Sequence, residues 1–196
     1  MRDGRRAVDH SVIVKSAPNE RVVMPEAVDY SAFEVLRDGR RVEIRALREE
    51  DRDDLLAAVE RTSTQSLYRR FFGVKRKFTE KEIAFFLSID FENHVALVVV
   101  VEQDGRQTIV GGGRYVVERP GTAEVAFAVV DEFQGHGIGA ALMRHLTIIA
   151  RDAGLKEFIA EVLPDNVAML KVFEKSGLRL RTKREAQVVH VVLELV

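Results

Sequence analysis

The sequence predicts a mixed α/β (α+β) domain with one mostly antiparallel central sheet flanked by helices. Residues 95–130 contain three β-rich runs separated by turn residues, which is the pattern of an antiparallel meander. Helical and strand patterns then alternate to the end of the chain. A chain of 196 residues is long enough for one sizeable core, so these elements are expected to share a single sheet.

The start of the chain is predicted to differ from the rest. Residues 1–31 form an N-terminal arm, loosely ordered or docked on the domain, because charges, proline and isolated valines occur there without a period. The folded domain is expected to span residues 32–196. It begins with two short strands, 33–36 and 42–45, around an Asp38-Gly39 turn.

Three helices are predicted before the meander. Residues 49–61 place acidic side chains ahead of apolar ones, which suits the positive end of a helix dipole. Residues 66–72 form a second helical stretch. Thr79 and Glu82 have the spacing of a capping box and precede an apolar run, so a third helix begins there.

The remaining elements follow from composition and period. Strands separated by glycine-containing turns are expected over residues 95–103, 108–117 and 124–130. A long amphipathic helix then covers residues 137–153 and ends at Gly154. The last elements are a strand over 158–162, a helix capped by Asp165 or Asn166 that ends at Gly177, and a strand over 188–195.

Composition excludes several classes of function. The 30 basic and 31 acidic side chains give a net charge of -1, so neither nucleic acid nor a membrane is expected as a partner. The absence of cysteine excludes disulfides, thiolate metal sites and acyl-cysteine intermediates, and five scattered histidines predict no metal. The first thirty residues lack the apolar core of a signal peptide, so a cytoplasmic location is expected.

The strongest chemical signal lies between the third β-rich run and the long helix. Glycines at the start of a helix let backbone N–H groups approach phosphate oxygens, and the helix dipole adds to the attraction. A diphosphate is therefore predicted to bind the loop formed by Gln134, Gly135, His136, Gly137, Ile138, Gly139 and Ala140.

Two other interpretations of this loop remain open. Gly135, Gly137 and Ala140 also satisfy the dinucleotide-binding fingerprint, with Glu161 near the distance expected for a ribose-binding acid. Four residues separate the strand from the first glycine, however, and an antiparallel meander precedes it, which disfavours that fold. The glycines could also form a tight turn without a ligand.

The loop and its neighbours resemble the Gcn5-related N-acetyltransferase (GNAT) family. The central motif of that family, Gln/Arg-x-x-Gly-x-Gly/Ala, is matched by Gln134, Gly137 and Gly139. The resemblance covers residues 42–196. It implies a GNAT-type fold, acetyl-CoA as the acyl donor and a glycine loop that holds the CoA pyrophosphate.

The resemblance also implies contacts to the pantetheine arm. The end of the preceding strand, at Phe127, Val129 and Val130, would pair its backbone with the arm. The second family motif, Asn-x-x-x-x-x-x-Tyr, is matched at Asn166 and broken at Phe173. The tyrosine that often protonates the leaving thiolate is therefore absent.

Four separated segments resemble bacterial protein-lysine acetyltransferases that modify acyl-CoA synthetases. They are residues 63–73, 89–91, 123–127 and 161–166. Four separate matches are harder to obtain by chance than one loop. The resemblance implies a protein substrate with an acceptor lysine, on a metabolic enzyme such as an acyl-CoA synthetase.

Acyl transfer to lysine requires a general base, because the ammonium form, with a pKa near ~10.4, has no lone pair. Glu124 matches the glutamate assigned this role in the lysine acetyltransferases, and a partly apolar strand could raise its pKa toward neutrality. Glu161 is the reserve candidate. Either carboxylate could instead be a structural group at the sheet edge, paired with an arginine such as Arg114.

Other polar residues are assigned roles outside catalysis. His136 and His145 are expected on the phosphate side or at the surface. A basic cluster either faces CoA phosphates or an acidic partner or forms a solvated helix face; it consists of Arg69, Arg70, Lys75, Arg76 and Lys77.

Three functions fit these features. The leading one is a protein-lysine acetyltransferase, and the second is an N-acetyltransferase for a small amine. The third is a non-catalytic acyl-CoA sensor, which the loss of tyrosine at Phe173 makes conceivable. Fold and cofactor loop alone leave the acceptor and the preferred acyl group unspecified.

Overall fold

The computed structural model describes residues 27–73, 77–103 and 105–196. The described strands are β1 (Ser31–Val35), β2 (Arg41–Ala46), β3 (His94–Gln103), β4 (Arg106–Arg119), β5 (Thr122–Val129), β6 (Glu157–Val162), β7 (Arg179–Glu185) and β8 (Val188–Glu194). The α-helices are α1 (Arg52–Glu60), α2 (Thr64–Phe71), α3 (Glu80–Leu87), α4 (Ile138–Asp152) and α5 (Val167–Glu174). Short 3-10 turns precede β1, α1 and α4.

All eight strands form one sheet in the order β1-β2-β3-β4-β5-β6-β8-β7. Neighbouring strands are antiparallel except β5 and β6, which are parallel. The predicted mixed, mostly antiparallel sheet with flanking helices is confirmed. The β5–β6 pair joins only residues 122–124 with 157–159, and beyond Glu124 the two strands separate.

Helix α4 covers the centre of the sheet. Its apolar face repeats at helical spacing, and Leu142, Leu146 and Ala150 on that face are fully buried. Each such leucine contributes about 1.5–3 kcal/mol through burial. The close approach depends on Gly113 in β4, since a Cβ there would lie 2.9 Å from the Phe127 ring and 3.1 Å from Leu146.

Two predicted helix starts are explained by their caps. Thr79 Oγ1 accepts a hydrogen bond from the Glu82 N–H at 3.3 Å, and the Glu82 carboxylate accepts from the Thr79 N–H at 2.9 Å, so the capping box is present. At α5 the cap is Asn166 rather than Asp165. Asn166 Oδ1 accepts from the Met169 N–H at 3.2 Å.

Strand β7 was not predicted. Its sequence, RLRTKRE, shows no apolar alternation, because the strand lies at the sheet edge and most of its side chains are exposed. Charged residues on an edge strand discourage pairing with other chains but remove the periodic signal. Register with β8 defines the strand instead.

Strand β1 is held against α4 by a polar cluster. His145 Nδ1 is hydrogen-bonded to the Tyr30 hydroxyl, and His145 Nε2 lies 2.8 Å from Glu34 Oε1. Arg144 donates to the same Glu34 carboxylate at 2.6 Å. His145 is buried, so the expectation that it serves the phosphate side or the surface was wrong.

Residues 1–26 of the predicted N-terminal arm lie outside the described residues. The arm and the domain boundary at residue 32 therefore stay predictions, although β1 and the turn before it belong to the sheet region. No helix in the described part of the chain is long and apolar enough to cross a bilayer.

Candidate active site

A groove of about 830 Å³ opens where β5 and β6 diverge. Strand β5, helices α2 and α5 and the glycine loop line it. Within the described residues, no strand pairs with the β6-facing edge of β5 beyond Glu124, because β6 continues its pairing with β8. The groove is therefore a long slot with a free strand edge along one wall, of a size typical for ligand sites.

The glycine loop forms one end of the groove. Gly135 and Gly137 have φ values of 81° and 100°, which side-chain-bearing residues rarely adopt. Helix α4 starts at Ile138 with Gly137 as its N-cap, and this cap provides no side-chain hydrogen bond. The first N–H groups of a helix need partners, and the positive end of the dipole favours an anion as that partner.

The β1–β2 hairpin lies on this loop. The Arg37 N–H donates to the His136 carbonyl at 3.2 Å, and His136 Nδ1 lies 2.9 Å from Asp38 Oδ2. The Arg37 side chain lines the groove and covers Gly137, since a Cβ at Gly137 would be 3.7 Å from Arg37 Nε. The hairpin thus adds a cation to the predicted phosphate site.

Sequence reasoning missed Arg37. It appeared only as a charged residue in a short hairpin, and no local pattern links that hairpin to the glycine loop. The contact depends on the docking of β1 against α4 and on Arg40, whose guanidinium lies 4.5 Å above the Phe133 ring. Hydrogen bonds from Arg40 also lower the pKa of Asp38 to about 2, so the carboxylate facing His136 is charged.

The structure brings most of the predicted donor-binding residues to the groove. Its lining includes Phe127, Val129, Gln134, Gly135, Gly137, Ile138, Gly139, Ala140, Asn166 and Phe173. Two predicted residues do not line it. The Val130 N–H donates to the Val110 carbonyl at 2.9 Å, and the His136 side chain faces Asp38 in the hairpin.

Three of the lining residues have structural partners as well. The Gln134 amide donates to the Val129 carbonyl at 3.1 Å and to Asp131 Oδ1 at 2.8 Å, which holds the loop against β5. Phe173 is buried and packs on Phe127 with ring centroids 6.2 Å apart. The phenylalanine in place of tyrosine therefore belongs to the core wall of the groove.

Glu124 lies at the other end of the groove, where β5 and β6 begin to diverge. The six residue steps from Glu124 to Val130 correspond to roughly 20 Å of strand, comparable with an extended phosphopantetheine arm. The Glu124 side chain is exposed in the open groove. Partial desolvation nevertheless raises its pKa above the usual range; Arg70 opposes this shift and Glu161 adds to it.

The alternative ion pair between Glu124 and Arg114 is not formed. Arg114 Nη1 donates to the Phe86 carbonyl at 3.3 Å and lies 3.1 Å from His94 Nε2. Among the described residues, Glu124 forms no ion pair within 4 Å. The reserve carboxylate, Glu161, also lines the groove, but its Oε1 is 3.4 Å from His190 Nδ1.

The described residues of the predicted basic cluster have different surroundings in the structure. Arg69 Nη2 donates to Asp165 Oδ2 at 3.2 Å, whereas Arg70 points into the groove wall and is half-buried. Lys75 and Arg76 lie outside the described residues. In residues 27–73, 77–103 and 105–196 there is no cluster of three or more histidine or acidic side chains that could hold a metal ion.

Comparison with known proteins decides the family. Residues 56–178 match the sequence model of the acetyltransferase (GNAT) family. The chain belongs to the GNAT family. An acetyltransferase of Pseudomonas aeruginosa is 36% identical over 137 residues, which is 69% of this chain and 74% of that protein. Acetyltransferase Pat of Mycolicibacterium smegmatis is 38% identical over 117 residues, 59% of this chain and 34% of that protein.

Solved structures agree with this assignment. The GNAT domain of S. lividans PAT superposes with a TM-score of 0.76 at 32% identity, covering 84% of this chain and 96% of that one. A cAMP-binding acyltransferase from Mycobacterium smegmatis gives 0.60 at 31% identity, over 87% of this chain and 48% of that one. This GNAT chain therefore spans about half of the second protein.

A more distant neighbour shares the fold alone. It is a Salmonella typhimurium protein solved with its cofactor acetyl-CoA, with a TM-score of 0.61 at 17% identity over 78% of this chain and 92% of that one. Acetyl transfer from acetyl-CoA is the chemistry of the GNAT family. The dinucleotide-binding interpretation of the glycine loop is wrong, since the loop follows an antiparallel strand in a GNAT sheet.

Proposed function

We propose that this GNAT chain transfers an acetyl group from acetyl-CoA to the side-chain amine of a protein lysine on a metabolic enzyme such as an acyl-CoA synthetase. The observation that carries the proposal is one groove with an anion-binding helix start at one end and an unpaired carboxylate at the other. Similarity to the GNAT proteins named Pat supports a protein acceptor.

The donor would lie along the whole groove. Its pyrophosphate would accept hydrogen bonds from the N–H groups at the start of α4, with the Arg37 guanidinium above them. The pantetheine arm would follow the free edge of β5 at Phe127 and Val129. The thioester would then reach the end where Glu124 lies.

The reaction proposed is direct attack. The lysine amine must lose a proton to present its lone pair, and Glu124 accepts that proton because its raised pKa makes it a better base near neutral pH. The amine nitrogen bonds to the thioester carbon, and the carbon–sulfur bond breaks. A thiolate is a far weaker base than an alkoxide, since even a cysteine thiol has a pKa near ~8.5, so CoA can leave without a strong acid and Phe173 does not prevent turnover.

The proposal is tested by offering the purified protein acetyl-CoA and several acyl-CoA synthetases, then locating modified lysines by mass spectrometry. The Glu124→Gln protein is run beside the wild type to separate enzymatic from spontaneous acetylation. Glu124-dependent modification of a defined lysine supports the proposal. Transfer only to small amines would assign the site to a different acceptor, and acetyl-CoA binding without any transfer would indicate a sensor.

A further inference from the structure

A second cavity lies behind α2. Its volume is about 90 Å³, and it is lined by residues of α1, α2 and α3 on one side and of β3, β4 and β5 on the other. Small residues on the sheet leave this space open, and phenylalanines form much of its wall; examples are Ala96, Gly112, Ala126, Phe71, Phe78 and Phe86. Part of α2 and β5 borders both this inner cavity and the groove.

Two guanidinium groups line the inner cavity, Arg70 from α2 and Arg114 from β4. No described residue lining it is aspartate or glutamate. Arg114 uses one nitrogen for its two polar contacts and lies 4.8 Å from the centre of the Phe86 ring. The Arg70 guanidinium lies 4.8 Å from the Phe71 ring centre and makes no hydrogen bond to the described residues.

Among residues 27–73, 77–103 and 105–196, no carboxylate forms an ion pair with either guanidinium. Each guanidinium has five N–H donors, and a cation in an apolar cavity is costly unless an anion pairs with it. Glu124 interacts with Arg70 from the groove side, whereas the charge that acts on Arg114 is the like charge of Arg70. Burial lowers the pKa of Arg114 to about 9, which is still above neutral pH, so its charge remains.

The size and geometry of the cavity limit which anion could pair with these guanidiniums. A guanidinium fork matches the two oxygens of a carboxylate. The 90 Å³ cavity corresponds to about three water molecules at roughly 30 Å³ each, enough for a carboxylate on one or two methylene groups. The cavity lies behind residues 126–129 of β5, and Arg70 borders both it and the groove, so a carboxylate that enters from the groove can reach this guanidinium.

We propose that the inner cavity binds the terminal carboxylate of a short dicarboxylic acyl group, so that malonyl- or succinyl-CoA serves as a donor besides acetyl-CoA. This inference rests on the function proposed above. The bonds change as in acetyl transfer: the amine nitrogen bonds to the thioester carbon, CoA leaves as the thiolate, and Glu124 takes the amine proton. The distal carboxylate stays intact and appears in the product.

The test compares acetyl-, malonyl- and succinyl-CoA with one acceptor, measuring kcat/KM and, without acceptor, the Kd by calorimetry. The variant is Arg114→Met, and the control is Arg106→Met, at the exposed far end of the same strand. The succinyl-to-acetyl ratio of kcat/KM should fall roughly 10- to 100-fold in Arg114→Met, as expected for one lost charge-assisted pair. Arg106→Met should keep the wild-type ratio.

Arg114→Met is expected to fold, because methionine keeps the apolar contacts of the half-buried Arg114 stem and removes a charge that has no ion-pair partner within the described residues. A wild type that uses acetyl-CoA but neither dicarboxylic donor, or an unchanged ratio in Arg114→Met, overturns the donor assignment. A further comparison uses acetyl-CoA with an amino acid and with its amide as acceptors. If the wild type prefers the amino acid and Arg114→Met does not, the cavity binds a carboxylate of the acceptor, and the donor assignment is wrong. Failure of acetyl-CoA itself to bind would refute the proposed function.

Discussion

The two ends of the groove differ in how many of their polar and charged side chains have partners. At the glycine loop, the polar side chains around the N-cap other than Arg37 have partners, as His136 has in Asp38 and Gln134 in Asp131. At the catalytic end, Glu124, Arg70 and Arg114 form no ion pair within 4 Å among the described residues. The loop end is held in place by its own contacts, whereas the charged groups at the Glu124 end remain available to a bound molecule.

This difference has a physical reason. A phosphate is bound well by fixed backbone N–H groups, so rigidity at the loop favours affinity. A general base must be free to take a proton, and pairing Glu124 with a close cation would lower its pKa and weaken it as a base. If the proposed function holds, the Glu124 end of the groove gives up stability for reactivity.

The largest expected effect is at the catalytic end. Glu124→Gln keeps the side-chain size but removes the proton acceptor, so kcat should fall about 10²- to 10⁴-fold while the Kd for acetyl-CoA stays near wild type. The wild-type rate should rise with pH through the raised pKa of Glu124, and this limb should be absent in the variant. Steady-state kinetics across pH and calorimetry measure both quantities.

Glu102→Gln is the matched control, because Glu102 is exposed near the end of β3, lines neither cavity and does not contribute to the pKa shift of Glu124. It should keep the wild-type rate. An unaltered kcat in Glu124→Gln would contradict the assignment of the base and make Glu161 the next residue to test.

The next effect is at the loop. Gly137→Val places a β-branched side chain at a φ of 100° and crowds the N–H groups at the start of α4. Binding of acetyl-CoA should weaken roughly 10- to 100-fold, as for the loss of a charge-assisted hydrogen bond. Calorimetry gives the Kd, and the rise in Tm caused by acetyl-CoA should shrink in parallel.

Gly154→Val controls for backbone strain, since Gly154 also has positive φ, lies at the other end of α4 and has open space around it. Both variants should lose stability, by about 1–3 kcal/mol of backbone strain. Only Gly137→Val should bind acetyl-CoA more weakly than the wild type. Equal binding by both variants would show that the pyrophosphate is not on this loop.

A smaller effect is expected for the hairpin cation. Arg37→Gln should raise the Kd for acetyl-CoA about tenfold, as expected for the loss of one charge-assisted contact. The effect should vanish with S-acetylpantetheine, which has no phosphate, and should diminish as salt screens the charge. Arg41→Gln, whose guanidinium stacks on Phe33 in the same hairpin, should bind like the wild type. A loss of equal size with S-acetylpantetheine would indicate a structural role for Arg37.

The smallest effect concerns stability. The folded state raises the pKa of Glu124, so this carboxylate contributes a penalty that is absent below its unfolded pKa and grows as pH rises through the folded value. Glu124→Gln should therefore have a slightly higher Tm than wild type at pH 8 and the same Tm near pH 4. A lower Tm at pH 8 would mean that Glu124 has a stabilising partner after all.

The sequence predicted those elements of the fold that are determined by residues close together in the chain. The meander, the capping box at Thr79 and the helix ended by Gly154 were all predicted, because each depends on residues within a few positions of one another. The glycine loop was found from its own pattern and Glu124 through a family resemblance, and the family is confirmed. Their roles stay predictions until the variants above are measured.

Only the tertiary structure decided the rest. Strand β7 has no periodic pattern and exists through its register with β8. Arg37 reaches the glycine loop because β1 docks on α4, and His145 is buried for the same reason. Arg70 and Arg114 belong to different elements and share a cavity only after α2 packs over the sheet. Such contacts join distant segments, so they follow from packing of the whole chain and leave no pattern in any one stretch of it.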